Sequence, residues 1–324
     1  MRRREFNILF ASAALTAPLA AYAQQRPMPV VGFLDSAAGT AAKLIEFYEG
    51  LKIEGYVRNQ NLAAEYHSAQ GDYSRLPALA ADLVNRQVSL VAAIGIPAAL
   101  AAKKATSAIP IVFAVESDPV RLGLIGSLDK PGGNMTGVAD MAVGREQKRL
   151  ELLHELLPTA TVLALLVNPD NPAAETQTRD ALAAAHAIGV ELKVIRASAE
   201  SDFDAAFAEL AQAHAGGLAI SDDELFISAS AHLAALAVRH TTPAIFQGRD
   251  FAVAGGLTSY GSNLMETYHQ AGAYSGLILK GAAPAGLPVY QSTRIEFIVN
   301  LRSAKAFGIA VPPAWLGQAN EVIK

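Results

Sequence analysis

From residue 30 onward the chain alternates between two rhythms. Short runs rich in β-branched or apolar residues at 30–34, 88–94 and 111–115, with a more polar strand at 63–67, are separated by stretches with apolar residues at helical spacing. Leu44, Phe47, Tyr48 and Leu51 share one helical face, and Leu76, Leu79, Ala80, Leu83 and Val84 share another. Gly95-Ile96-Pro97 ends the third run and opens a helix. Ser117-Asp118-Pro119 follows the fourth, with Asp118 suited to cap a helix that starts at Pro119 and ends near Leu128. The turn Lys130-Pro-Gly-Gly-Asn134 interrupts the rhythm, and 136–143 reads as an extended connection between two units. The pattern then restarts, with a helix through Leu150, Leu153 and Leu157 and strands at 162–167, 191–196 and 218–221. A helix runs from Glu224 towards His240, a lone helix covers 264–280, and a last strand lies at 294–299. Repeated β-α order predicts an α/β fold of two doubly wound parallel-sheet lobes. The expected division is 28–138 plus 263–284 for one lobe and 139–262 plus 285–324 for the other, joined by a hinge that the chain crosses more than once.

The first residues have a different pattern. Arg2, Arg3 and Arg4 precede an uncharged apolar run of 14 residues from Ile8 to Ala21, shorter than the roughly 18–20 that span a bilayer. Ala21-Tyr22-Ala23 supplies the small residues of a cleavage site, so 1–23 reads as a signal peptide, by the general or the twin-arginine route, for export to the periplasm. No cysteine occurs, which excludes a lipid-bearing thiol and disulfides. With 17% charged residues and a formal charge of −4, the chain carries no basic signature for nucleic acid or anionic membrane.

In such lobes ligands sit at the carboxyl ends of the strands, so the β-to-α turns are the candidate binding positions. On the first lobe these are Asp35, Ser36, Gly95, Ile96, Ser117 and Asp118; on the second, Asn168, Ser221, Asp222, Asp223 and Gln247, with Tyr260 on a nearby crossing. Helix starts there suit a ligand carboxylate, and Asp222 or Asp223 suits an amine. The same aspartates equally suit helix capping. Trp315, after Pro312-Pro313, reads as core. Catalytic motifs fail on spacing: no dinucleotide or phosphate loop follows a strand, His154-Glu155 meets Pro158 where a second histidine is required, and Leu257 replaces the first glycine of a nucleophile elbow before Ser259. Nothing calls for a metal or cofactor, and no enzyme is expected.

Across most of the chain the residues also resemble a known family. The matching segments are Gly50-Leu-Lys-Ile-Glu-Gly-Tyr56, Leu76-Pro-Ala-Leu-Ala80, Ile109-Pro-Ile-Val112, Asp118-Pro-Val120, Pro131-Gly-Gly-Asn-Met-Thr-Gly137, Lys148-Arg-Leu-Glu-Leu-Leu153, Asn168-Pro169, Gly255-Gly-Leu257 with Ser259-Tyr-Gly261, and Leu287-Pro-Val289. Together they are similar to the ABC transporter substrate-binding proteins related to tryptophan- and tyrosine-binding receptors. The resemblance implies a type I periplasmic binding fold, a monomer that captures an amino acid or related organic acid between its lobes, and permease subunits in the inner membrane as partners. A sensory receptor or an enzyme using the same cleft is the alternative.

Overall fold

The computed structural model describes residues 28–38, 41–141 and 144–324; the signal peptide read at 1–23 lies outside the described residues. The first unit runs β1 (Val30–Asp35), α1 (Ala41–Ile53), β2 (Ala63–Ser68), α2 (Leu76–Asn85), β3 (Leu90–Ile94), α3 (Ile96–Ala105), β4 (Ile111–Val115) and β5 (Met135–Asp140). The second runs α4 (Arg145–Leu156), β6 (Val162–Val167), α5 (Ala174–Ala187), β7 (Glu191–Arg196), α6 (Phe203–Gln212), β8 (Leu218–Ile220), α7 (Glu224–Ser228), α8 (Ser230–Arg239), β9 (Ala244–Phe246), α9 (Arg249–Val253) and β10 (Thr258–Ser262). The chain then supplies α10 (Leu264–Leu279), β11 (Tyr290–Ser292), β12 (Ile295–Asn300), α11 (Leu301–Ala306), α12 (Pro313–Gln318) and β13 (Glu321–Ile323).

Two sheets result. The first has strand order β11-β5-β4-β3-β1-β2, parallel throughout. The second has order β13-β12-β10-β9-β8-β6-β7, parallel except for the antiparallel pair β10 and β12. Helices cover both faces of each, so central strands are apolar on both sides rather than alternating. Leu34, Val91 and Phe113 enter one core of the first sheet, and their chain neighbours Phe33, Leu90 and Val112 enter the other. In the second sheet Leu166, Ile220 and Phe246 divide in the same way from Leu165, Ala219 and Ile245. Trp315 is buried edge-on against Phe297, 5.0 Å between ring centres, the core role expected of it.

The lone helix α10 returns to the first sheet, packing along α1 and over β3, β4 and β5. A Cβ at Gly272 would lie 2.0 Å from the Phe47 carbonyl oxygen, so the two helices approach this closely only because that position is glycine.

Several expectations need correction. Residues 135–140 form a fully buried strand, β5, rather than a connection. Thr136 and Asp140 mask it in the sequence, although the Thr136 hydroxyl is satisfied by donating to Leu287 O. The strand β11, expected in the second lobe, pairs with β5, so the last crossing falls after Ser292 and not near 285. No helix follows Pro119: Gly123 adopts φ +68°, and Leu124 N–H bonds back to Pro119 O in a run of turns. The helix read from Glu224 to His240 is two helices, α7 and α8, with the Ser230 hydroxyl donating to Ile227 O at the break. Among the described residues no helix is long and apolar enough to cross a membrane.

Candidate ligand-binding site

Parallel strands end in one direction, so the β-to-α turns of each sheet gather at one edge. The two edges meet. Tyr73, in the connection between β2 and α2, donates to Asp223 at 2.9 Å, and Gln247 donates to Glu116 at 3.2 Å. Lys43 on α1 forms an ion pair with Glu224 at 2.8 Å, with both side chains buried. At Gly95, where φ is +87°, a Cβ would lie 2.7 Å from both Glu224 Cγ and Ser36 Oγ; glycine there lets the second lobe reach the start of α3.

On one side this contact is filled. The Lys43 ammonium lies 5.1 Å from the centre of the Tyr268 ring, and the Tyr268 hydroxyl donates to Glu224 at 3.3 Å. Asp35, at the end of β1, accepts from the Tyr66 hydroxyl at 2.7 Å and from Ala37 N–H at 3.0 Å. Burial pushes Asp35 up to about 6; Glu224 adds to the rise and Lys43 opposes it. Burial alone would lower Lys43, but Glu224, the Tyr268 hydroxyl and Asp35 hold it well above its ordinary value. The cavity left among Phe33, Asp35, Lys43, Phe47, Ile94 and Tyr268 is about 10 Å³.

The other side is open. A cleft of about 490 Å³ runs between Glu116, Ser117, Asp118 and Leu122 of the first lobe and Pro172, Thr176 and Gln177 of the second, with Asp140, Arg145 and Glu146 at its hinge end. Arg145 donates to Asp140 at the first crossing and to Ser262 at the second, and it lies 3.3 Å from Asp222. Arg149, one turn on, donates to Asp222 at 2.6 Å and to Ile220 O at 2.9 Å. Burial alone would lower Arg145, yet Asp222 and Asp140 raise it above its ordinary value, so it stays a cation. Glu116 is pushed well above the carboxylate range by burial and then by Asp222 and Glu224; Glu146 is raised by burial and Asp222.

Ser117 and Asp118 line the cleft, the latter with one oxygen accepting from Val120 and Arg121 N–H. Gln247 reaches Glu116 from the second lobe. The Ser36 hydroxyl is consumed as a brace for α3, donating to Ile94 O and accepting from Ala98 N–H. Ile96 is packed into the core of the first lobe, and Tyr260 packs edge-on against Phe297, 6.0 Å between centres, so neither joins the cleft. The amine pairing expected of Asp222 and Asp223 is corrected by their partners. Asp222 is taken by two arginines. Asp223 caps α7 through Leu225 N–H and accepts from Tyr73, Asn168 and Asn171, while burial raises it to about 6 against those hydrogen bonds. Asn168 is thereby committed to Asp223, and the hydroxyl of Ser221, which precedes Asp222, is buried without a partner.

Residue-by-residue reading of the turns missed Lys43, Glu116, Arg145, Gln177, Glu224 and Tyr268. A signal existed for two of them. Lys43 precedes Phe47 and Leu51 on the buried stripe of α1, and Arg145 stands with Arg149 on the buried face of α4; a cation on an apolar stripe marks a buried partner.

Two doubly wound lobes, three crossings and a cleft walled from both sides define the type I periplasmic binding fold, the fold of its solved neighbours. The chain belongs to the ABC transporter substrate-binding protein family, whose model matches residues 30–323. Over 260 residues it is 28% identical to the tyrosine-binding protein of Clostridioides difficile, covering 80% of this chain and 74% of that one. A conserved domain protein from Vibrio cholerae superposes with TM-score 0.83 at 27% identity, covering 91% of this chain and 99% of that one. A Streptococcus pneumoniae ABC domain solved in complex with L-Trp superposes with TM-score 0.80 at 23% identity, with the same coverage.

Proposed function

We propose that this protein is the solute-capturing component of an ABC importer, exported to the periplasm, where as a monomer it binds an amino acid or related organic acid between its lobes. The observation that carries this reading is the cleft of about 490 Å³ lined from both lobes, whose opposite side is already closed by direct contacts between them. Ligand seated against Glu116, Ser117 and Asp118 of one lobe and Gln177 of the other, with Gln247 bracing Glu116, favours the closed arrangement, and membrane permease subunits recognise that closed form. An amino acid ligand is supported by the tyrosine-binding relative and by the structural neighbour carrying L-Trp.

The test is a thermal-shift screen of an amino acid and organic acid library on the purified protein, followed by mass spectrometry of the bound compound. A ligand that raises the melting temperature and is recovered unchanged supports solute binding. Conversion of that compound during incubation would replace this reading with an enzyme.

A further inference from the structure

One bond between the lobes leaves two acceptors without a donor. Gln247, 2% exposed and just after β9, gives its amide N–H to Glu116 Oε2 at 3.2 Å from across the lobe contact. The other oxygen of each side chain, Glu116 Oε1 and Gln247 Oε1, is buried and has no hydrogen-bond partner. Neither oxygen is open to a water-sized neighbour, so solvent and a solute in the adjoining cleft are equally unable to serve them. Buried acceptors require donors. The pair itself can provide one: a carboxylic acid and an amide exchange two hydrogen bonds, O–H to the amide oxygen and N–H to the carboxyl oxygen, where a carboxylate and an amide can make only one.

The charges around Glu116 favour the same outcome. Asp222 precedes α7, Glu224 opens it and Asp140 ends β5; all three repel a further negative charge, and Arg145 at the start of α4 is the opposing cation. Arg145 is already engaged by Asp140 and Asp222, Arg149 by Asp222 and Lys43 by Glu224. The Tyr268 hydroxyl, reaching in from α10, donates to Glu224 and brings no positive charge. Burial first, then Asp222 and Glu224, hold Glu116 well above the carboxylate range against Arg145. Gln247, Asp222 and Glu224 stand on the second lobe, whereas Glu116 stands on the first. Parting the lobes therefore removes the amide, the repulsion and part of the burial together, and returns Glu116 to water as an ordinary carboxylate.

Resting on the solute-binding reading above for the closing motion, we propose that the lobes close by taking up a proton on Glu116, which then shares two hydrogen bonds with Gln247, so that solute is held more tightly in acid than in alkaline surroundings. The closed form holds the proton and the open form releases it. This contribution to closure is full below the ordinary carboxylate range and is lost as the pH rises through the closed form's own value, by up to about tenfold per pH unit.

Small-angle scattering of the full chain without added solute, from about pH 5.5 to about pH 8.5, reads closure directly, and Glu116→Gln is the decisive variant. Glutamine copies the protonated acid: its N–H serves Gln247 Oε1, its oxygen accepts from Gln247 Nε2, and it does not titrate. The unaltered protein is expected to expand as the pH rises and Glu116→Gln to stay compact, so that the variant is the more closed of the two at the alkaline end. A merely damaged contact would instead leave the variant more open at every pH. A variant no more compact than the unaltered protein at about pH 8.5 would overturn the proposal. Where Glu116→Gln fails to fold, Asp35→Asn takes its place, since it removes the lobe-contact acid raised to about 6 and keeps Glu116. Its expansion with pH should persist; a radius of gyration that no longer changes would overturn the assignment to Glu116. L-tyrosine, L-tryptophan or a compound returned by the library screen, bound equally well at both ends of the range, would overturn the proton coupling and leave solute binding intact. Expansion with pH alongside an empty screen would keep the coupling and remove the solute-binding reading.

Discussion

The two sides of the contact between the lobes are made from the same acid-rich chemistry and end in opposite states. Around Lys43, Asp35, Glu224 and Tyr268 the protein provides its own cation, and the space closes to about 10 Å³. Around Glu116 and Gln177, Arg145, Arg149 and Arg179 are spent on Asp140, Asp222 and Asp180, and about 490 Å³ stays open. A buried ion pair contributes little to stability in itself, but removing one member leaves an uncompensated buried charge. On the function proposed above, the filled side is a latch that ties closure to one lysine, and the open side receives the solute.

Lys43→Met is the strongest way to break this comparison. Closure would then bury Glu224 without its cation, at a cost of about 3–5 kcal/mol, so the lobes should stay apart. Small-angle scattering should show a larger radius of gyration, and ligand affinity should fall by about two orders of magnitude or more. Adding Glu224→Leu to Lys43→Met removes the stranded charge and should recover most of the closure. A single Lys43→Met variant that closes like the unaltered protein would refute the latch.

Asp35 sharpens the same comparison through pH. Its value is raised from 3.8 to about 6 in the folded protein, so the protonated form is the one favoured by burial. Its contribution is fully present below pH 3.8 and is lost as the pH rises through 6, a change of about 3 kcal/mol. Asp35→Asn should accordingly match the unaltered protein near pH 4 and gain stability relative to it up to about pH 6.5, then level off. Paired melting curves across that range check this. A relative gain for Asp35→Asn on the acid side would mean that Lys43 outweighs burial at this position.

Topology was the legible part of this molecule. Apolar runs covered on both faces announced β1, β3 and β4, and parallel order alone directed attention to the turns that meet across the lobes. β5 escaped because Thr136 and Asp140 interrupt its apolar character; the Thr136 hydroxyl is satisfied by Leu287 O, 151 positions away, and Asp140 by Arg145 at the start of the next helix. The latch escaped, as the Thr136 bond did, because its partners are remote in sequence. Lys43 and Glu224 are 181 positions apart, and neither reveals in its own neighbourhood that it is buried against the other. Asp223 makes the helix cap that its position before Glu224 suggested, whereas Asp222 pairs with arginines on a helix more than seventy positions away, which no local pattern announces.

The smallest effect is expected at Tyr73, whose hydroxyl crosses between the lobes to Asp223 apart from both the latch and the open cleft. Asp223 retains Asn168, Asn171 and Leu225 N–H when that hydroxyl is removed, so Tyr73→Phe withdraws one of several donors from a buried carboxylate. The loss should be about 1 kcal/mol of closure, or about fivefold in ligand affinity. Because the bond exists only where the lobes meet, each lobe's own unfolding should be unchanged while calorimetric affinity falls. The ratio between this variant and Lys43→Met is the useful number. If the two weaken binding equally, closure energy is spread evenly over the contact and the latch has no special standing; if Lys43→Met exceeds Tyr73→Phe by about thirtyfold or more, the gap these costs imply, closure is concentrated on the filled side.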